Sequence, residues 1–182
     1  MYIKSQRLER LFDTAFATFL EEDYKELLKD VHEQNSCGRL AMCLNHEIRR
    51  VGLPGYYVDT EYNRKQDAKI KTIVNDNHQV IRIRCDLILH SRGEIRQQDN
   101  LIAVEMKKAG RPQIECDNDR LRLQLMTRKS YNGIWSTGDG TEPEHVCGYG
   151  LGVFIQINHR QRSVELEYFK SGSSAKRKVV PF

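Results

Sequence analysis

Two apolar runs, at 80–90 and 101–107, carry charged residues at alternate positions and constrain the fold more than any other feature of the sequence. Side chains of a β-strand alternate between the two faces of a sheet. In the second run Glu105 and Lys107 therefore project from one face. The opposite face carries the apolar side chains of Ile102, Val104 and Met106. The sequence thus predicts a strand that holds a carboxylate and an ammonium side by side.

The first run supplies a second carboxylate. Alternation places Ile83, Cys85, Leu87 and Leu89 on one face and Arg84 and Asp86 on the other. If the two runs pair through the polar connection at 91–94, Asp86 comes level with Glu105 and Lys107. The predicted hairpin therefore gathers two acids and one lysine in a single cluster. His90 falls on the Asp86 face at the end of the run, where we expect it to be exposed to solvent.

Two carboxylates held close together repel each other, and one of them takes up a proton unless a cation neutralises the pair. Hard oxygen ligands in small number suit Mg²⁺ or Mn²⁺, and Mg²⁺ takes further ligands from water and a phosphate substrate. Such an ion acidifies water, while a neighbouring lysine positions or helps to deprotonate the attacking water. The cluster therefore predicts phosphodiester cleavage. An ordinary exposed ion pair between Glu105 and Lys107 is the simpler alternative.

The segments 85–93 and 100–108 together resemble the PD-(D/E)XK, or restriction-endonuclease-like, nuclease superfamily, and in particular its small bacterial members. In those proteins a Glu-Tyr-Asn-Arg strand, here at 61–64, precedes the catalytic hairpin. The resemblance extends over 33–169, and it depends on the combination of segments, because E-x-K alone is common. Cys85 stands where the family name expects proline, and we interpret it as a small buried residue on the apolar face.

The resemblance implies a metal-dependent deoxyribonuclease in which Asp86 and Glu105 bind Mg²⁺ or Mn²⁺ and Lys107 is the catalytic lysine. It also implies a third catalytic and metal-binding acid, a glutamate on a helix ahead of the first strand. Glu33 and Glu47 are the two candidates for that glutamate.

Helical spacing favours Glu33 over Glu47. The apolar residues after Glu33 recur at helical positions, which puts Glu33 at the amino-terminal end of the face that packs on the sheet. These residues are Cys37, Leu40, Ala41, Leu44 and Ile48. A helix capped by Asn35 or Ser36 would leave Glu33 outside it. Glu47, beside two arginines, is either an acid near the metal or a solvated charge.

Glu61 is a further candidate for a position near the metal, because it lies in the strand that resembles the family. A structural ion pair with Arg64 or Arg84 explains this glutamate equally well. The sequence leaves both readings open.

Four arginines are candidate phosphate contacts around the cluster: Arg82, Arg84, Arg92 and Arg111. The formal charge of +4 and the pI of about 8.8 agree with a polyanionic partner, but many proteins with this bias bind none. Arginine and lysine bind phosphates without reading base sequence, so affinity would depend steeply on salt. Specificity for DNA would then come from an accessory protein or from a homodimer.

Cysteine usage and hydropathy indicate the compartment. The five cysteines are odd in number and form no C-x-x-C pair, which disfavours a disulfide framework or a zinc site and is typical of a reducing cytoplasm. No apolar run approaches the length of a membrane span, and the amino terminus carries a charged amphipathic helix instead of a signal sequence. We therefore expect a cytoplasmic protein with no membrane partner.

Hydrophobic periodicity predicts a single α/β domain. An N-terminal helical segment at 1–31, as one helix or two, precedes a core at 32–170 and a basic tail at 171–182. Within the core we predict helices at 33–50 and 114–126, strands at 56–62, 150–158 and 163–170 beside the two apolar runs, and a loop at 131–149. The order predicts a mixed central β-sheet flanked by helices, and the resemblance implies a restriction-endonuclease-like core.

The sequence therefore predicts a metal-dependent nuclease that acts on DNA. One alternative is a catalytically silent relative of the nuclease fold that binds nucleic acid without cutting it. Another is a protein-interaction module that docks a partner through its aromatic first helix and the loop at 131–149. Whether the substrate is DNA or RNA, single- or double-stranded, stays open.

Overall fold

Three α-helices and eight strands make up the part of the chain that the computed structural model describes, residues 2–29, 31–61, 72–74, 80–82, 85–128 and 148–182. The helices are α1 (Ser5–Leu28), α2 (Glu33–Arg50) and α3 (Gln113–Met126). The strands are β1 (Tyr57–Thr60), β2 (Thr72–Val74), β3 (Val80–Arg82), β4 (Leu87–His90), β5 (Asn100–Lys108), β6 (Leu151–Asn158), β7 (Ser163–Lys170) and β8 (Ser173–Pro181). A short 3₁₀ turn (Arg96–Gln98) precedes β5.

Six of these strands form a mixed sheet in the order β1-β4-β5-β6-β7-β8, and β2 pairs with β3 alone. β5 and β6 run parallel and are joined through α3, whereas the other neighbours in the sheet are antiparallel. α1 and α2 pack on one face of the sheet and α3 packs on the other. The predicted α/β class, with a mixed central sheet flanked by helices, is therefore confirmed.

The first two helices follow the predicted spacing. α1 is one helix of 24 residues, with no glycine or proline to interrupt it. α2 begins at Glu33, and the side chain of His32 caps it by accepting a hydrogen bond from the backbone N–H of Gln34. Glu33 therefore lies in the first turn, and the alternative start at Asn35 or Ser36 is wrong. Within the described ranges, no helix has the length and apolarity to cross a membrane.

The two faces of β5 contact different helices. Ile102, Val104 and Met106 join the apolar cluster formed with α1 and α2. The side chains of Glu105 and Lys107 reach residues of α3 on the other face. The predicted alternation along 101–107 is therefore confirmed. This alternation puts one charged pair under α3, beside the apolar side chains that pack there.

The predicted continuous strand at 80–90 is wrong. β3 pairs with β2, whereas β4 pairs with β1 and β5, and Cys85 and Asp86 lie outside both strands. Because alternation does not carry through this break, Cys85 packs with Ile88 on the α3 side and not with Leu87 and Leu89. Ile83 and Arg84 lie outside the described residues.

His90 is buried, contrary to the prediction that it is exposed. Its Nε2 lies 2.9 Å from Oδ2 of Asp59. The physical reason is the pairing of β1 with β4, which places Tyr57 opposite His90 and covers the end of the strand. A histidine at a strand end is exposed only where no neighbouring strand reaches it.

The predicted basic tail at 171–182 is an edge strand in the structure. β8 pairs with β7 along its length. Lys176 and Lys178 of β8 form ion pairs with Glu9 and Asp13 of α1. The basic residues therefore hold the strand against the first helix. The predicted loop at 131–149 lies, up to residue 147, outside the described residues.

Glu167 of β7 is a buried carboxylate with three hydrogen-bond donors. Ser174 Oγ, Arg177 Nη2 and Arg120 Nε donate to it at 2.7, 2.9 and 2.9 Å. Burial raises the pKa of Glu167, but these three donors outweigh burial and hold the pKa below its ordinary value. The ionised carboxylate therefore joins α3 to the β7–β8 edge of the sheet.

We predict that Glu167→Gln lowers the free energy of unfolding by about 1–3 kcal/mol near neutral pH. Because the pKa of this carboxyl is depressed in the folded state, its contribution is present above the unfolded pKa, about 4.3, and is lost as pH falls through the folded value. The difference between wild type and variant should therefore shrink below about pH 4. Urea unfolding across a pH series checks this, with Glu165→Gln on the same strand as the control. A difference that is constant with pH would contradict the assignment.

Gly152 of β6 lies close against the carboxyl-terminal end of α3. A Cβ at this position would meet Thr127 Cγ2 at 3.1 Å, Phe169 Cβ at 3.2 Å and Leu123 Cβ at 3.4 Å. These neighbours are buried, so they have little room to move. Glycine at this point therefore sets the distance between α3 and the sheet.

We predict that Gly152→Val destabilises the fold by about 1–3 kcal/mol, because its side chain overpacks the layer between α3 and the sheet. Gly38 in α2 is the matched control, since a Cβ there meets nothing within 4 Å. Gly38→Ala should stabilise the protein by roughly 0.5–1 kcal/mol through helix propensity. Urea unfolding of both variants measures the two effects. Equal stabilities for the two variants would show that α3 is not packed as described.

Candidate functional site

Asp86, Glu105 and Lys107 converge beside α3. The pairing of Leu87 with Val104 in the β4–β5 hairpin places Asp86 next to Glu105. Oδ2 of Asp86 accepts a hydrogen bond from the backbone N–H of Met106 at 2.8 Å and lies 3.9 Å from Nζ of Lys107. The Asp86 side chain is 31% exposed and that of Lys107 17%. The structure thus brings together the three residues of the predicted cluster.

Glu105 is the most buried member of this cluster, with its side chain only 2% exposed. Its Oε1 lies 3.2 Å from Nη1 of Arg122 and 3.4 Å from Sγ of Cys85. Burial raises the pKa of Glu105 well above its ordinary value; Arg122 opposes this shift, and the charges of Asp86 and Asp119 add to it. A positive group next to this carboxylate is therefore needed to keep it ionised.

Lys107 lies between two carboxylates. Its Nζ is 3.0 Å from Oδ2 of Asp119 on α3, closer than it is to Asp86. Burial lowers the pKa of Lys107, but the charges of Asp86 and Asp119 outweigh burial and raise the pKa above its ordinary value. The amine is therefore a protonated ammonium held over the end of β5.

Asp119 and Arg122 also contact the cluster, although no sequence motif points to them. They lie three positions apart on α3, so they share one face of the helix, and their side chains form an ion pair. Arg122 also contacts Glu105, and Asp119 also contacts Lys107. Their helical spacing is a visible signal in the sequence. The missing information was that α3 packs on the face of β5 that carries the charges.

Glu33 lies at the end of β5, next to Lys107. Its Oε1 accepts a hydrogen bond from the backbone N–H of Lys108 at 2.9 Å, and Arg111 Nε lies 3.1 Å from the same oxygen. Burial raises the pKa of Glu33, but the hydrogen bonds from Arg111 and Lys108 outweigh it, so the pKa falls below its ordinary value. The first turn of α2 therefore presents an ionised carboxylate near the cluster.

Glu47 lies far from this cluster. It is fourteen positions after Glu33 on α2, which corresponds to about 21 Å along the helix. Both of its carboxylate oxygens bind Arg50, at 2.7 Å each. Of the two helix glutamates, the structure therefore places Glu33 near the cluster and Glu47 in a separate ion pair.

Glu61 connects α2 with Asp86. It follows β1 with a positive φ of 50°, and its backbone N–H donates to the carbonyl oxygen of Asp86 at 3.1 Å. Its carboxylate accepts a hydrogen bond from Gln34, the residue after Glu33. Glu61 therefore lies beside the cluster and supports the backbone at Asp86. Arg64 and Arg84, its predicted alternative partners, lie outside the described residues.

The four candidate phosphate-binding arginines lie in different places. Arg111 pairs with Glu33 near the cluster, and its side chain is 46% exposed. Arg92 lies beyond the end of β4 that is remote from Asp86, where it binds Asp59 and stacks 4.4 Å from the ring centre of Tyr57. The structure therefore does not bring Arg92 to the cluster. Arg84 and the side chain of Arg82 lie outside the described part.

The donor chemistry of the cluster suits a hard divalent ion. Asp86 and Glu105 offer carboxylate oxygens, which Mg²⁺ and Mn²⁺ prefer, and Glu33 adds a third carboxylate nearby. In this arrangement Oε1 of Glu105 is held by Arg122. Across the described ranges, no three acidic, histidine or cysteine side chains already stand together as a metal cage. Binding an ion therefore requires side chains of the cluster to move closer together than they stand in this structure.

No protein-family model, curated protein or solved structure matches the chain. The function must therefore be inferred from the side chains that meet at the cluster, because a fold alone does not establish an activity.

We predict that Glu105 and Arg122 are energetically coupled. Arg122→Met leaves a buried carboxylate without its partner and should destabilise the fold by about 3 kcal/mol. Adding Glu105→Gln should recover part of that loss, with a coupling energy of about 1–3 kcal/mol. Urea unfolding of the single and double variants measures the coupling, and exposed Arg49→Met on α2 serves as a control that changes stability by less than about 0.5 kcal/mol. Strictly additive effects would exclude a direct pair.

Proposed function

We propose that this protein is a metal-dependent nuclease that hydrolyses phosphodiester bonds in DNA, with Mg²⁺ or Mn²⁺ as its cofactor. The observation that carries the proposal is the convergence of Asp86, Glu105 and Lys107 between β4, β5 and α3. A restriction-endonuclease-like core is part of the same proposal. It is supported by a mixed sheet with helices on both faces and by a charged hairpin within that sheet.

In this proposal Asp86 and Glu105 would hold the ion, with Glu33 assisting directly or through water. When bound, it would acidify water and neutralise charge on the scissile phosphate. The residues of the chain would perform the remaining tasks. Lys107 donates hydrogen bonds that orient the attacking water for in-line displacement, and the backbone bond from Met106 fixes the carboxylate of Asp86.

The substrate would approach the more exposed side of the cluster. Asp86 is the most exposed of the three predicted cluster residues, and Arg111 lies close by with nearly half of its side chain exposed. A guanidinium in this position can bind a phosphate of the DNA backbone without reading its sequence. Selection of a DNA sequence would then require an accessory protein or a second copy of the chain.

We predict that the purified protein cuts DNA in the presence of Mg²⁺ or Mn²⁺ and that EDTA stops the reaction. Lys107→Ala and Asp86→Asn should each lower the cleavage rate by about 100-fold or more, because each removes a group that acts on the water or the phosphate. Asparagine keeps an acceptor for the backbone N–H of Met106, so the Asp86 variant should remain folded. Initial rates on a panel of DNA and RNA substrates measure the effect.

Two surface variants provide the matched controls. Asp117→Asn removes a carboxylate that is 54% exposed on α3, and Lys29→Ala removes an ammonium that is 65% exposed after α1. Both should cut DNA at the rate of the wild type. Cleavage that persists in the Lys107 and Asp86 variants would refute the assignment of the site.

A second candidate function is a catalytically silent relative that binds nucleic acid. The pairing of Glu105 with Arg122 favours it, because this carboxylate is already neutralised by a side chain of the protein. Binding of DNA that weakens steeply with salt, without any calorimetric signal for Mn²⁺, would select this function over the nuclease.

A further inference from the structure

Asp119 contacts both positive side chains at the cluster. Its carboxylate is only 7% exposed, with Oδ2 lying 3.0 Å from Nζ of Lys107 and Oδ1 accepting a hydrogen bond from Arg122. Arg122 in turn contacts Glu105. One acid on α3 thus touches the two cations that face the proposed metal ligands.

The lysine side chain needs such a partner to keep its place. It has four rotatable bonds, and its ammonium is a compact charge that a nearby divalent cation repels. Asp86, the other carboxylate near this amine, lies 3.9 Å away, and metal binding would neutralise its charge. Asp119 is closer and projects from a different element, so its attraction for the ammonium persists when an ion is bound.

We infer that Asp119 is the positioning residue for Lys107 in the proposed phosphodiester hydrolysis. This inference rests on the proposed nuclease function. Asp119 binds neither the metal nor the substrate. It holds the ammonium of Lys107 above the end of β5, in the position from which the ammonium orients the attacking water. A misplacement of a catalytic group by about 1 Å can cost on the order of 100-fold in rate, so the effect is large enough to measure.

A purely structural role for Asp119 makes different predictions. An ion pair that only anchors α3 to β5 would affect stability and leave the chemistry of the folded enzyme unchanged. If Asp119 positions Lys107, removing its charge lowers kcat of the folded enzyme while KM and metal affinity stay the same. Loss of the Asp119 charge also exposes the amine of Lys107 to reagents, whether or not DNA is present; this readout reports the contact itself, and the fall in kcat distinguishes the two roles.

The test uses the full chain with Asp119→Asn, which keeps the shape and removes the charge. We expect kcat for DNA cleavage to fall by about 10- to 100-fold, with KM and the calorimetric affinity for Mn²⁺ unchanged within about twofold. We also expect Lys107 to be acetylated several-fold faster by an amine reagent, as measured by mass spectrometry of its peptide. The control Asp117→Asn, two positions earlier on the same helix, should match the wild type in all four measurements.

A charge-retaining variant guards against loss of folding. Asp119→Glu should recover kcat to within about tenfold of the wild type and protect Lys107 from acetylation. If Asp119→Asn is unfolded by circular dichroism, the same measurements on Asp119→Glu and Asp119→Gln replace it, with activity and protection expected only in the glutamate variant. Equal kcat with and without the charge would overturn the inference.

Two other outcomes separate the failures. A loss of Mn²⁺ affinity in Asp119→Asn would make Asp119 a metal ligand and overturn the positioning role while leaving the nuclease proposal intact. A wild-type protein that cuts no nucleic acid under any metal would overturn the proposed function and this inference with it. In that case a change in Lys107 acetylation would still identify the pair as structural.

Discussion

Four charged side chains between β5 and α3, two of them buried and two partly exposed, constrain the rest of this structure. Glu105, Arg122, Asp119 and Lys107 form an alternating chain in which each acid contacts a base. A buried charge without a partner costs several kcal/mol, whereas a fully paired set is close to neutral in free energy. The helix therefore cannot slide or rotate on the sheet without separating charges. The parallel pairing of β5 and β6 depends on that same helix, because α3 connects the two strands.

The alternating chain of charges ends at Lys107, next to Asp86 on the more exposed side of the cluster. Asp86 is not part of the alternating chain, and it holds the backbone of β5 through the N–H of Met106. Glu33 does the same two residues further along β5, where it accepts a hydrogen bond from the backbone N–H of Lys108. The carboxylates of Asp86 and Glu33 thus accept hydrogen bonds from two backbone N–H groups of β5. The strand that carries Glu105 and Lys107 is therefore supported by α1 and α2 on one face and by α3 on the other. Rigid support of this kind suits a site that needs accurate geometry.

Much of this arrangement could be predicted from local patterns. Alternation along β5 correctly separated Met106 from Glu105 and Lys107, and helical spacing correctly placed Glu33 in the first turn of α2, because both patterns depend on neighbouring residues alone. The break before β4 could not be predicted, since β3 pairs with β2 and so leaves the central sheet. The burial of His90 depends on β1, and the roles of Asp119 and Arg122 depend on which face α3 covers. Each miss concerns a contact between elements that are distant in sequence, on which periodicity carries no information.

The ion pairs between α1 and β8 have a consequence for how the protein reaches this structure. Asp13 and Lys178 are 165 positions apart, and Tyr168 also donates to Asp13. Closing a loop of that length loses chain entropy before any contact is gained, which slows folding in proteins rich in such contacts. The part of the apolar face of α1 that packs on the sheet consequently stays uncovered during synthesis until β6 and β7 have emerged from the ribosome. In that interval the helix depends on α2, its neighbour in the chain, for whatever burial it has.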